Sequence, residues 1–274
     1  MIGRRPSSLA AVLLAGLGAS EARAQGADRD WFLNPPPAGT FVTTDASTGG
    51  PQLGIERRDS IADEAGMTVL RASSLAGIGY GEAAVLGDVR FLFFTAGATA
   101  GYRQVWRTYA PPRGVDVTRG YRLDVDERGA STSEGWGFGE GRLRLALPMD
   151  GAALVANHVV RYEGAPDNSY DWFHSTIHDG GWMFRFDATL FFRSPRYGAI
   201  GPLVRYLDLE RDGRRVGEWA FGLSAGTRLG LVPTVNPDVL LLQVLTRPGD
   251  PRFGIHLLRA PVFVLVAYRV TFTL

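Results

Sequence analysis

Residues 167–179 of this chain, DNSYDWFHSTIHD, crowd imidazole and carboxylate groups into one short stretch. A carboxylate beside an imidazole can move protons in general acid–base catalysis or hold a metal ion. On a helix, the four-residue spacing of His174 and His178 would place both rings on one side. Asp171, His174 and His178 are therefore the candidate catalytic residues. The same composition is typical of a polar surface loop whose aromatic residues lie at a membrane interface, and the sequence favours that interpretation over an enzyme.

Other kinds of chemistry are excluded by what the chain lacks. It has no cysteine, which removes disulfides, thiol catalysis and Cys-ligated metal sites. The glycine-rich piece 135–141 leads into a strand-like run with no helix after it, so a dinucleotide-binding loop does not fit. All 29 basic residues are Arg, and the net charge of +1 argues against a nucleic-acid partner. We predict no cofactor and no resident metal.

The N-terminus has the pattern of an export signal. Arg4 and Arg5 precede the apolar run 9–17, and an Ala-x-Ala site follows at 22–24. This order predicts a cleaved signal peptide over residues 1–24. The polar, turn-rich segment 25–50 is interpreted as a linker or an arm that enters the lumen. No later apolar run is long enough for a transmembrane helix.

The elements that must position any site are strands with two unlike faces. In 182–193 the apolar residues Trp182, Phe184 and Phe186 alternate with Met183, Arg185 and Asp187. The C-terminal stretch 261–274 alternates in the same way, with one wholly apolar face. Bulky apolar residues on one face, with Gly, Ser, Thr and charges on the other, are typical of a barrel that faces lipid outside and a polar lumen inside. A soluble β-barrel would also alternate, but with its apolar face inward.

We therefore predict an all-β fold, a closed antiparallel transmembrane β-barrel over residues 51–274 with about ten strands. Counts of eight or twelve remain as alternatives, the latter with an added hairpin from 104–109 and 121–126. The approximate strands are 51–57, 67–80, 88–104, 135–148, 152–163, 181–194, 199–210, 216–232, 238–246 and 261–274.

The last strand resembles the C-terminal assembly signal of bacterial outer-membrane β-barrel proteins. Tyr268, Val270 and Phe272 fit its alternating apolar pattern, while Leu274 stands where that signal usually has Phe. Together with the signal peptide, the resemblance implies an outer-membrane location, with outer-membrane lipid and the barrel-assembly machinery as partners. It identifies a class and carries over no functional residues.

The predicted lumen face is rich in arginine. Its members are Arg103, Glu140, Arg142, Arg144, Arg161, Arg185, Asp187, Arg193, Arg205, Arg228 and Arg269. Such a surplus of Arg would attract anions if the lumen is open, as charged rings do in pores. The alternative, which the sequence favours, is a network of Arg–carboxylate pairs that plugs the interior. His158 falls on the lipid face, which is costly and suggests a bulge or a shifted register.

Three functions remain open from the sequence. The first is an outer-membrane barrel of structural, anchoring or small-solute-passage type, with an anion as one candidate solute. The second is a barrel enzyme that acts on lipid or surface peptide through the 167–179 loop. The third is a soluble secreted β-barrel that binds an apolar ligand.

Overall fold

The computed structural model describes residues 38–61, 66–77, 79–106, 134–167, 169–171, 176–194, 198–211, 213–229, 231–232, 236–247 and 262–274. The strands among them are β1 Gly39–Ser47, β2 Gly50–Ile61, β3 Gly66–Ala76, β4 Tyr80–Phe91, β5 Phe94–Val105, β6 Glu134–Met149, β7 Ala152–Glu163, β8 Ser169–Asp171, β9 Thr176–His178, β10 Gly181–Ser194, β11 Gly198–Arg211, β12 Arg214–Arg228, β13 Asn236–Thr246 and β14 Val262–Thr273.

Twelve of these strands form a closed antiparallel barrel, and β8 and β9 form a separate small hairpin. Each barrel strand pairs with its neighbour in the chain, β7 with β10 across the hairpin, and β1 with β14 to close the ring. Closure leaves no edge strand with unpaired backbone groups. Among the residues that the structure describes, no helix has the length and apolarity that a membrane crossing requires.

The strand count differs from the expected ten for two local reasons. First, β1 lies inside the segment 25–50, which was interpreted as a linker, so the barrel begins at Gly39 rather than at residue 51. Its inward residues Phe41, Thr43 and Asp45 are buried, but two of them are polar, so the sequence shows no clear alternation of apolar and polar residues. Only pairing with β2 and β14 makes this segment a strand.

Second, the region that was expected to form two strands, 67–80 and 88–104, forms three strands, β3, β4 and β5. The turn between β4 and β5 is made of Leu92 and Phe93, and Leu92 has a positive φ of 48°. Turns are usually recognised by Gly, Pro, Asn or Asp, so an apolar turn gives no sequence signal. Neither added strand comes from the alternative hairpin at 104–109 and 121–126. There, β5 ends at Val105, and residues 107–109 and 121–126 lie outside the described residues.

The barrel has an apolar outer face. Trp182, Phe221 and Val266 keep 51%, 50% and 39% of their surface exposed, and Phe186 keeps 37%. In a soluble barrel these side chains would be buried in the centre. His158 is also exposed on this face, with its ring 6.5 Å from that of Phe186. The register of β7 is continuous there, so neither a bulge nor a shifted strand removes the histidine from the outer face.

The two ends of the barrel differ. Connections 106–133, 164–180 and 247–261 all leave from one end, which we call the long-loop end. The connections 92–93, 150–151 and 195–197 lie at the other end, together with the start of β1 and the end of β14. We call this the short-turn end. Because the number of barrel strands is even, the start of β1 and the end of β14 lie on the same side of the barrel.

The interior is filled, and its walls differ in polarity. On the wall formed by β10–β14, the inward residues include Leu203, Ala220, Leu245 and Phe263, which pack together with 0–5% exposure. Met183, Leu207 and Leu209 form a second apolar group on the same wall. The wall formed by β1–β7 is instead dominated by Arg and carboxylates. The expected uniformly polar lumen is thus wrong for the apolar wall, where large side chains fill space that a wide barrel would otherwise leave to water.

Candidate functional site in the barrel interior

Of the three residues singled out for catalysis, only His178 has a side chain in the described part of the chain, so a common site with Asp171 and His174 stays a prediction. His178 ends β9, and its directly paired residue in the β8–β9 hairpin is Ser169, so the expected helical spacing does not apply. The His178 ring is 3% exposed, and its Nδ1–H donates a 2.7 Å hydrogen bond to the carbonyl of Asp179. The Asp171 side chain and all of His174 lie outside the described residues.

His178 instead borders a group of charged residues that we call the Glu163 cluster: Glu82, Arg103, Glu140, Arg161 and Glu163. One oxygen of Glu163, Oε1, lies 2.5 Å from Arg161 Nη2 and 3.4 Å from Arg103 Nη1. Arg103 also contacts Glu82 at 2.9 Å, and Arg161 contacts Glu140 at 3.3 Å. His178 Nε2 lies 3.9 Å from the other Glu163 oxygen. Because Glu163 has only 1% of its side chain exposed, it is a buried anion held by two guanidinium groups.

An aromatic ring covers this cluster. The Phe138 ring lies 4.0 Å from the Arg161 guanidinium and 6.0 Å from that of Arg103. Phe138 itself lies over Gly101, where an added Cβ would meet the ring at 2.4 Å. The glycine therefore leaves room for a large ring to lie flat on the barrel wall.

A second group, which we call the Asp88 cluster, contains Asp88, Arg90, Arg142 and Arg144. Arg142 makes a two-armed contact with Asp88, at 3.0 Å through Nε and 2.5 Å through Nη2. Arg90 Nη2 lies 3.5 Å from the same carboxylate. Arg144 lies within electrostatic range of Arg90, Arg142 and Arg185, with Asp88 as the opposing charge. Arg90 and Arg142 thus contact one carboxylate, and Arg144 is the third cation of the group.

The strand where the barrel closes has its own ion pairs. Asp45 on β1 accepts hydrogen bonds from Arg269 on β14, with which it is directly paired, and from Arg71 on β3 at 2.8 Å. Arg71 reaches Asp45 across Gly54 of β2, where an added Cβ would meet Arg71 Nε at 2.7 Å. Glycine again allows a long side chain to cross an intervening strand.

Two further ion-pair groups lie on the more apolar wall. Asp187 contacts Arg205 at 2.7 Å and Arg185 at 3.1 Å. Glu218 pairs with both Arg211 and Arg247. Of the expected lumen residues, Arg193 donates to the backbone carbonyl of Met149, while the Arg228 side chain lies outside the described residues.

Sequence reasoning missed most of the acidic partners in this network. Asp45 lies on β1 and Glu82 on β4, the two strands that were not recognised, and Asp88, also on β4, is the first residue of the expected strand 88–104. Glu163 is the last residue of β7 and Glu218 lies near the start of β12, outside the clearest alternation. Extending the period of two through Gly and Thr positions would have placed all of them on the inward face. Within the described residues, no group of three or more His, Asp or Glu side chains is arranged to hold a metal ion.

No protein-family model and no curated protein matches this chain. Its fold is similar to that of several solved structures. A NanC porin matches with a TM-score of 0.40 and 8% identity, over 86% of this chain and 100% of that one. A KdgM porin in complex with disordered oligogalacturonate matches with a TM-score of 0.37 and 5% identity, over 85% of this chain and 95% of that one. LpxR from Salmonella typhimurium matches with a TM-score of 0.38 and 10% identity, over 86% of this chain and 99% of that one. At such scores nothing about ligand or activity follows from the likeness.

Proposed function

We propose that this protein is an outer-membrane β-barrel of structural or anchoring type, closed to free diffusion in the form described above. The observation that carries the proposal is the contrast between the two faces of one closed sheet. Bulky apolar side chains point outward and remain exposed, while most inward side chains of the described strands are buried and either packed or ion-paired.

The outer face supports a lipid environment. Exposed residues include Trp182, Trp219 and Phe221, each with about half of its surface uncovered. A soluble protein rarely exposes a continuous apolar surface of this kind. In hydrocarbon, a closed sheet also satisfies its backbone hydrogen bonds internally, which an open sheet does not. The soluble secreted barrel that binds an apolar ligand inside is therefore the least compatible of the three functions.

The inner face supports a closed resting state. Leu203, Leu245 and Phe263 are at most 5% exposed, so water does not line that wall. On the opposite wall, Arg103 and Arg161 are held by Glu163 and its neighbours. Breaking a buried ion pair by removing one partner typically costs about 3–5 kcal/mol. The interior is thus stabilised against spontaneous opening by both packing and ion pairing.

Two measurements test this proposal. The folded barrel should migrate differently on a detergent gel before and after boiling, and it should insert into planar bilayers without discrete conductance steps. Absence of the gel shift contradicts a membrane barrel. Regular conductance steps in the unmodified protein contradict the closed interior and favour a different candidate function, passage of a small anionic solute. The arginine surplus of the Asp88 cluster is the observation that supports this candidate.

A further inference from the structure

We propose that the Asp88 cluster is a binding site for a small dianionic oxyanion of the phosphate class, free or as the ester of a small solute. The inference rests on the barrel interior described under the proposed function, and it adds a ligand to it. Its basis is the grouping of Arg90, Arg142 and Arg144 with a single carboxylate, in which Arg90 and Arg142 are partly exposed.

The sheet register brings these residues together. On the inner face, Arg90 of β4, Thr95 of β5 and Arg144 of β6 are directly paired in one row. Asp88, Gly97 and Arg142 form the adjacent row. The intervening strand β5 contributes only a threonine and a glycine, so no bulky side chain separates the guanidinium groups of β4 from those of β6.

The donors in this cluster outnumber the acceptors. Arg142 occupies both oxygens of Asp88, and Arg90 reaches the same carboxylate only through Nη2 at 3.5 Å. Arg90 Nε and Nη1 are buried without a hydrogen-bond partner in the described part of the chain. No described carboxylate lies within ion-pair distance of Arg144. Unsatisfied buried donors of charged groups are costly, so an acceptor from outside the chain would stabilise the site.

Neighbouring charges do not supply that acceptor. Glu56 lies close enough to influence Arg90, but it is paired with Arg58 at 2.5 Å. Asp187, on the other side, is shared between Arg185 and Arg205. Three guanidinium charges against the one carboxylate of Asp88 leave a local surplus of two positive charges.

The surplus and the donor geometry define the ligand class. A phosphate group carries a charge of about −1.5 to −2 near neutral pH, which matches the surplus. Guanidinium groups bind the oxygens of phosphate with two parallel hydrogen bonds. Arg90 and Arg142 keep 13% and 20% of their side chains exposed, whereas Asp88 keeps 1%. Arg90 and Arg142 are therefore partly exposed, whereas the carboxylate between them is not.

The test measures the thermal unfolding midpoint of the full chain in detergent micelles by tryptophan fluorescence. Sodium phosphate and glycerol 3-phosphate are compared with sodium chloride at matched ionic strength. We expect a concentration-dependent increase in the midpoint with phosphate. Stabilisation by inorganic phosphate alone indicates a free oxyanion, and stabilisation by both compounds indicates that an ester also fits. Either result supports the site.

The variant Arg144→Gln should weaken phosphate binding about tenfold or more, as expected for loss of a charge-assisted contact. Without phosphate it should be at least as stable as the original protein, because a cation repelled by its neighbours is removed. A merely structural arginine would instead destabilise the barrel and leave the phosphate effect unchanged. The control Arg57→Gln removes an exposed arginine paired with Asp59 and should bind phosphate normally.

The inference is overturned if phosphate stabilises the original protein no more than chloride does, or if Arg144→Gln and Arg57→Gln respond equally to phosphate. Failure of the proposed function is a separate outcome, because it appears as loss of the gel shift on boiling. A folded barrel with that shift but without a phosphate effect contradicts only the site.

Discussion

The ion pair between Arg142 and Asp88 joins two strands that are not neighbours, and it passes over Gly97 of the strand between them. The two side chains lie on β6 and β4, and Arg142 Nη2 is 2.5 Å from Asp88 Oδ2. A Cβ added at Gly97 would lie 1.9 Å from Asp88 Oδ1 and 2.9 Å from the carbonyl oxygen of Gly87. The pair therefore requires a residue without a side chain beneath it.

This relationship predicts that Gly97→Ala destabilises the barrel. The methyl group displaces the Asp88 carboxylate and separates a largely buried ion pair, so we expect a loss of about 3–5 kcal/mol in the free energy of unfolding. Urea unfolding in phospholipid vesicles measures it. The control is Gly141→Ala, whose Cβ would meet nothing within 4 Å and should be neutral or slightly stabilising. Equal effects at both glycines would contradict the explanation.

The second prediction concerns the shared carboxylate of the Glu163 cluster. Glu163→Gln removes the anion that Arg161 and Arg103 contact, and leaves two buried guanidinium groups with less counter-charge. We expect a loss of about 3–5 kcal/mol in the same unfolding assay. Glu210→Gln is the matched control, because Glu210 is 42% exposed and its 3.8 Å pair with Arg215 should contribute less than about 1 kcal/mol. A neutral Glu163→Gln would show that the network does not stabilise the interior.

The third prediction tests contact with lipid. Leu223 is 52% exposed in the middle of the outer face of β12, and an arginine there should cost about 2–4 kcal/mol if hydrocarbon surrounds it. Leu231 is 71% exposed beyond the end of β12, and Leu231→Arg should cost about 1 kcal/mol or less. Unfolding in vesicles compares the two variants. If Leu223→Arg is as well tolerated as Leu231→Arg, the outer face does not contact hydrocarbon.

The fourth prediction concerns the apolar wall. Phe263 packs with Leu203, Ala220 and Leu245, and its ring lies 5.6 Å from the Arg205 guanidinium. Phe263→Ala should reduce the free energy of unfolding by about 3–5 kcal/mol through the cavity it leaves. It should also produce conductance steps in planar bilayers where the original protein has none. Phe272→Ala, on the exposed outer face, serves as the control for both measurements. A silent and fully stable Phe263→Ala would show that this wall does not close the interior.

The fifth prediction addresses the enzyme hypothesis. The buried His178 ring donates a hydrogen bond to a backbone carbonyl and borders Glu163. We therefore expect it to stabilise the long-loop end of the barrel rather than to contact a substrate. His178→Ala should therefore lower stability without changing turnover of phospholipid, lipid A or peptide panels. His158→Ala, on the outer face, is the control. Activity that is present in the original protein and is lost specifically in His178→Ala would support the enzyme instead.

The fold was predictable wherever one strand face carries large apolar residues. The expected bounds 152–163 and 181–194 agree with β7 and β10, because Trp182, Phe184 and Phe186 make the period of two unmistakable. It was not predictable for β1, whose outward residues are mostly small or polar, or for β4, whose outward face mixes Gly and Ala with Val85, Val89 and Phe91. Their strands depend on pairing with neighbours, which a single sequence window does not contain.

The site was less predictable than the fold. The arginines were recognisable on the inward face, but their specific partners depend on the register of three adjacent strands. Arg142 can contact Asp88 only because Gly97 lies between them, and Arg71 can contact Asp45 only because Gly54 lies between them. No spacing along the chain relates these residues, so the contacts appear only once the sheet is assembled.

The pairing of β1 with β14 makes completion of the sheet depend on two strands that lie far apart in the chain. Asp45 and Arg269 are 224 positions apart, so the sheet has two open hydrogen-bonding edges until β14 has been added. A ribosome-released fragment that lacks residues 262–274 would keep most of the strands and still be unable to form a ring. Loss of this one strand should therefore prevent closure as completely as loss of several strands, because either leaves two unpaired edges.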